Sequence, residues 1–261
     1  CNTVSATIAA GIVPAAMEIM DRNVNELVEA WLHLGLPLDA AAVLLIEVDG
    51  PAESLPAQVE RIVAIAREHG TRSTRVAKDD AERAALWKGR KSAFGAFGRS
   101  GNGFYIMDGV VPRTRLAEAL ATVYRLCEER GLETGNVFHA GDGNLHPHIA
   151  FHFGDPKSQQ AALEVSQEIL RMCIRFGGTI SGEHGVGIEK KPMMRELFAP
   201  EDLVLMNRVR TSLNPEGRLN PCKVLPGGAG CGEAAAHAHE GAAPAVMRGA
   251  PAGADVEGPW I

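Results

Sequence analysis

The stretch that most constrains this chain is Asn136-Val-Phe-His139-Ala-Gly-Asp-Gly-Asn-Leu-His146-Pro-His148, answered further along by Ser181-Gly-Glu183-His184-Gly-Val-Gly187. Gly141-Asp142-Gly143 separates two apolar runs, Gly135 to Phe138 and Leu145 to Phe151. Glycines reach positive φ at little cost, so this pattern predicts a hairpin with His139 and His146 near the turn end of neighbouring strands. Two neutral imidazoles plus the Glu183 carboxylate suit zinc, manganese or iron. They leave coordination positions open for substrate or water, which is the habit of a catalytic metal site. Histidine spacing alone is unspecific, and an isolated histidine is more often a hydrogen-bonded, half-buried residue. The metal reading rests on several ligand-type side chains falling in two glycine-bracketed segments. Gly182, Gly185 and Gly187 add no packing and let backbone approach a ligand closely. A phosphate loop is set aside, because no Gly-Lys-Ser/Thr follows and the glycines form no dinucleotide fingerprint.

The rest of the chain reads as mixed helix and strand. Val4 to Ile12 is helix-compatible, Ala16 to Met20 is a short strand, and Asn23 reads as the cap of a helix from Val24 to Leu34. Val24, Leu27, Val28, Trp31 and Leu32 make the apolar stripe of that helix. Ala42 to Asp49 is a buried strand, Ser54 to His69 a helix closed by Gly70, and Thr71 to Ala77 alternates as a strand. Strand, helix, strand, helix, strand is the rhythm of a ferredoxin-like α+β half. Asp79 to Phe97 is a long amphipathic helix whose charges are mostly a solvated face. Arg90, following Trp87, is singled out because a guanidinium offers a bidentate fork to a carboxylate. Gly101-Asn-Gly103 predicts a turn, Phe104 to Val111 a strand, and Arg115 to Arg130 and Lys157 to Phe176 helices. Lys190-Lys191-Pro192 starts a helix through Met193 to Leu197, Pro200 opens a final one ending near Leu213, and Arg218 to Lys223 forms a polar end piece. From Gly227 the composition turns to Ala, Gly and Pro, which predicts a disordered tail over 227–261 behind one domain over 1–226.

Composition narrows the partners. With 46% hydrophobic residues among 261, the chain can bury a proper core, and a net charge of −6 without a basic run argues against nucleic acid or an anionic membrane surface. No apolar run is long enough for a transmembrane segment, and no signal segment opens the chain. Five cysteines without Cys-x-x-Cys spacing suggest neither a disulfide framework nor a thiolate zinc site, and fit a reducing, cytoplasmic setting. Cys1 in place of Met suggests a segment of a longer protein.

Six strings in order carry a family resemblance: Ala10-Gly-Ile-Val-Pro14, Trp87-Lys-Gly-Arg-Lys91, Asp108-Gly-Val-Val-Pro112, Asn136 to His146, Ser181 to Gly187, and Leu219-Asn-Pro-Cys-Lys223. Over roughly residues 5–226 the chain resembles the C-terminal half of FAD-linked 2-hydroxy-acid oxidoreductases, the flavin-bearing subunit of glycolate oxidase and the D-lactate and D-2-hydroxyglutarate dehydrogenases among them. The resemblance implies an antiparallel sheet with helices, FAD, and a divalent metal held by His139, His146 and Glu183. It further implies His184 as the base that takes the substrate hydroxyl proton, and Arg90 as the substrate-carboxylate arginine. Asn144 and Asn220 are implied on the flavin side, with Cys222 where the family places glycine. The implied partners are a small D-2-hydroxy acid, an N-terminal FAD-binding domain absent from this chain, and an iron–sulfur electron-transfer subunit. A cytoplasmic location, reaching a membrane only through partners, goes with them. Without the flavin domain the chain alone is expected to be inactive or very weak. A metal-dependent hydrolase and a non-enzymatic binding domain stay open as other readings of the same histidines.

Overall fold

The computed structural model describes residues 1–99 and 103–226. The predicted tail over 227–261 and most of the predicted turn at 101–103 lie outside these residues. Among the described residues a seven-stranded antiparallel sheet forms the centre, with helices on both faces. β1 (Ala16–Asp21) pairs with β2 (Ala42–Glu47) on one side and β5 (Thr134–His139) on the other. β5 continues through β6 (Asn144–Leu145) to β4 (Gly109–Val110), and separately through β7 (Pro147–Phe151) to β3 (Gly103–Ile106). The α+β, antiparallel architecture read from the sequence is the one observed.

Alternation along β1 and β5 sorts two cores. Met17, Ile19 and Phe138 face the larger one, beneath α5 (Leu116–Glu128) and α6 (Pro156–Arg175), with Leu116, Val123, Val165, Ile169 and Met172 fully or nearly buried. Met20 and Val137 face the other side, packed by Val24 and Val28 of α2 (Arg22–Leu32) and by Ala93 and Ala96 of α4 (Asp80–Gly98). Glu18 and His139, two residues along from Met20 and Val137, point to that second side, where α4 carries Arg90 one turn before Ala93. Trp87 and Arg83 of α4 both hydrogen-bond Glu47 at the end of β2, which ties the helix to the sheet edge.

Three local expectations are corrected. Thr71 to Ala77 forms no strand and runs as irregular chain between α3 (Leu55–Glu68) and α4; without a sheet edge to join, alternation alone does not make a strand. Asn23 is not the cap of α2. Asp21 is, accepting from the Val24 amide at 2.9 Å, while Asn23 reaches across to the Thr134 carbonyl. The single strand read over Phe104 to Val111 is two, β3 and β4, parted at Met107-Asp108 because Asp108 turns inward to collect the 181–190 loop.

Candidate metal centre

The histidine segment folds back as expected, although its second strand breaks at His146 so that β6 and β7 follow different neighbours. His139 ends β5 opposite Asn144, and the turn between them depends on Gly143. Gly143 has φ +73, and a Cβ there would stand 2.1 Å from the Val111 carbonyl oxygen, so any other residue would force the turn open. Gly182 plays the matching part in the second segment: a Cβ there would meet the Asn144 side chain at 2.6 Å.

Asp108 positions that second segment. Fully buried, it accepts from the amides of Gly182 (3.1 Å) and Glu183 (3.0 Å) through Oδ1, and from the His184 amide (2.9 Å), the Ser181 hydroxyl (2.6 Å) and Lys190 Nζ (2.9 Å) through Oδ2. Burial alone would raise its carboxyl pKa. The His146 imidazole, the Ser181 hydroxyl, Lys190 and the Glu183 amide outweigh burial and hold it far below the usual carboxylate range.

On this support Glu183 reaches out to the histidines. Its Oε1 lies 3.2 Å from His146 Nε2, 3.4 Å from His139 Nε2 and 3.7 Å from His184 Nε2. Ligand atoms of Asp108, His146, Glu183 and His184 all fall within 4.8 Å of one another. Asp108 was not among the ligands read from the sequence, and its oxygens are already taken by the loop donors, so the geometry makes it the organiser of the loop. His139, outside that four-residue group, meets it through Glu183. His146 and His184 stack, ring centroids 4.9 Å apart, and burial lowers the His184 pKa, favouring a neutral imidazole. Glu183 and His184 are half-exposed and His146 is buried, so the cluster joins a buried imidazole to two side chains that solvent reaches.

The donor set fits a divalent cation. Among the described residues His146 Nε2 is buried without a well-aligned hydrogen bond, facing carboxylate oxygens of Glu183 at 3.2 Å and Asp108 at 3.7 Å. In a tetrahedral zinc site with bonds of about 2.0–2.1 Å, neighbouring ligand atoms stand about 3.3 Å apart, close to the 3.2 and 3.4 Å found here. His139 Nδ1 is 2.7 Å from Glu18 Oε1, and that pairing raises its pKa above the ordinary imidazole value. Arg90 lies beside it, its Nε donating to Glu18 Oε2 at 2.8 Å. Glu18 was missed in the sequence because only strand register brings it there.

The other residues named from the sequence sit apart from this cluster or at its floor. Asn144 is buried under Gly182, its Oδ1 without a hydrogen-bond partner among the described residues. Asn220 accepts hydrogen bonds from Arg210 and Lys223, in an end piece held to the Gly187 carbonyl by the Val224 amide. Cys222 takes the left-handed backbone with φ 62. His148 packs among Phe94, Phe97 and Phe104, and burial lowers its pKa to about 4, so it belongs to the core.

A two-sided antiparallel sheet carrying a histidine–carboxylate cluster defines an α+β domain with a candidate metal centre at one open face. Residues 1–224 match the family described as FAD linked oxidases, C-terminal domain, and the chain belongs to that family. It is 41% identical over 238 residues to the glycolate oxidase subunit GlcD of Escherichia coli strain K12, covering 91% of this chain and 48% of that protein. With a probable mitochondrial D-lactate dehydrogenase of Danio rerio it shares 28% over 220 residues, 84% of this chain and 44% of that one. The chain thus spans about half the length of these curated relatives. The 4-ethylphenol oxidase of Gulosibacter chungangensis shares the fold at 16% identity, with a TM-score of 0.56 over 86% of this chain and 50% of that chain.

Proposed function

We propose that this chain is the substrate- and metal-binding half of an FAD-dependent oxidoreductase that converts a small 2-hydroxy acid, glycolate or D-lactate, to its 2-oxo acid. The observation that carries the reading is the approach of His139 and His146 Nε2 to one Glu183 oxygen beside an exposed His184. His139, His146 and Glu183 would hold the cation. Bound here, a divalent metal supplies Lewis-acid polarisation of the hydroxyl, and FAD supplies the electron acceptor. Arg90 receives the substrate carboxylate: Glu18 occupies its Nε, and among the described residues no hydrogen bond engages its two Nη atoms. His184 Nε2 takes the hydroxyl proton, at the open side of the cluster where substrate can reach it. Asn144, on β6 beneath Gly182, and Asn220, on the end piece, are the residues of this chain that would lie on the flavin side. The flavin is bound chiefly by a further domain, and an iron–sulfur subunit accepts the electrons. The names of the relatives, a glycolate oxidase subunit and a D-lactate dehydrogenase, support the chemistry.

The test is dye-coupled oxidation of glycolate and of D-lactate by the protein purified with its flavin-bearing part, with metal content measured alongside. The expected result is turnover lost on chelation, restored by zinc or manganese, and lowered roughly 10²–10⁴-fold by His184→Ala. Unchanged turnover after complete metal removal would overturn the reading.

A further inference from the structure

We infer that Glu18 is a positioning residue that joins the two halves of the site, fixing His139 as a metal ligand with one carboxylate oxygen and orienting Arg90 for the substrate carboxylate with the other. This rests on the function proposed above and goes beyond it, since it makes cation binding and carboxylate capture depend on one buried side chain.

The antiparallel register of β1 and β5 sets Glu18 directly opposite His139, on the side of the sheet covered by α4. Its Oε1 accepts from His139 Nδ1 at 2.7 Å and its Oε2 from Arg90 Nε at 2.8 Å, in a side chain only 7% exposed. A neutral imidazole that donates through Nδ1 keeps its lone pair on Nε2, the atom 3.4 Å from Glu183 Oε1. Hydrogen bonding of the remote ring nitrogen to a carboxylate is the usual way a ligating histidine is held in tautomer and orientation. On the other oxygen, the Nε bond fixes the plane of the guanidinium and leaves its Nη pair for the fork. A glutamine is the same size but has a single acceptor oxygen. Its amide nitrogen would face either the His139 Nδ1–H or the Arg90 Nε–H, donor against donor. Only a carboxylate serves both partners at once, which is why the residue type matters as well as the place.

The experiment compares the intact protein, its flavin-bearing part included, with Glu18→Gln, Arg90→Lys and His139→Ala. Calorimetric titration with Zn²⁺ and Mn²⁺ alone is followed by steady-state kinetics with D-lactate and glycolate. The expected result is a 10–100-fold loss of cation affinity in Glu18→Gln. The same variant should raise KM more than it lowers kcat, whereas Arg90→Lys should raise KM and leave cation affinity as in the unaltered protein. Cation affinity in Glu18→Gln equal to that of the unaltered protein, with His139→Ala defective, would overturn this inference and leave the proposed function standing. An unaltered protein that binds neither cation would overturn both. Should Glu18→Gln fail to fold, ¹⁵N spectra of the unaltered, metal-free protein with neutral imidazoles decide the matter. His139 protonated on Nδ1 supports the inference, and His139 protonated on Nε2 overturns it.

Discussion

Asp108 and Lys190 form a buried ion pair, Nζ to Oδ2 2.9 Å, at the point where β3 and β4 part. Removing one partner of such a pair leaves an uncompensated charge in the core, so Asp108→Ala should cost about 3–5 kcal/mol, read as a shift in the urea midpoint. It should also free the Glu183–His184 loop and so weaken cation binding, whereas loss of a surface pair such as Arg218–Glu216 should change neither. Cys127 and Cys173 make a second residue-level case, their thiols pushed up to about 11 and about 12 by burial. In the unfolded chain thiols ionise near about pH 8.5, so between there and the folded values the unfolded state releases protons that the folded state keeps. Stability should therefore fall as pH rises above about 9, by up to about 1.4 kcal/mol per pH unit for each thiol. Cys173→Ala should flatten that slope in urea melts over the alkaline range; an unchanged slope would remove the thiol from the explanation. Among residues, the histidines and Glu183 were legible because ligand types crowd into glycine-rich strings. Glu18 was not: it lies 121 positions from His139, and an isolated glutamate in an apolar strand carries no mark of its partner.

At the scale of elements, the turn joining β5 to β6 sets the distance between His139 and His146. Gly143→Ala places a Cβ against the Val111 carbonyl and a side chain in the left-handed region, a strain of roughly 1–3 kcal/mol before any clash is counted. The expected outcome is a lower melting temperature together with weaker Zn²⁺ binding. Gly131→Ala, also at positive φ but with open space around its Cβ, should show only the modest stability loss. Long elements such as α5 and α6 were legible from their apolar stripes, since burial of one face dictates 3.6-residue spacing. The break between β3 and β4 was not. An apolar run looks the same whether straight or interrupted, and the interruption answers a demand from a loop far along the chain. Thr71 to Ala77 failed in the opposite sense, for alternation describes what a strand can bury and not whether an edge is there to pair with.

Across the whole molecule, the sheet separates a large aliphatic core on its α5–α6 side from a smaller face where α2 and α4 cover β1 and β5, and Glu18 and Arg90 meet on that smaller face. The α+β plan was legible from element order and the antiparallel sheet from the family resemblance, whereas which strands lie side by side was not, because pairing is decided by distant contacts. No described helix is long and apolar enough to cross a membrane. The chain purified by itself should bind Zn²⁺ yet reduce no dye with D-lactate or glycolate, and gain activity when its flavin-bearing part is supplied; stoichiometric FAD bound to this chain alone would contradict that division of labour. The claim beneath all of this is that His139, His146 and Glu183 share one cation. Anomalous diffraction at the zinc edge, from crystals grown with Zn²⁺, tests it most directly. The account predicts one peak about 2.0–2.2 Å from His139 Nε2, His146 Nε2 and a Glu183 oxygen together. A peak elsewhere, or none at full zinc saturation, would contradict it.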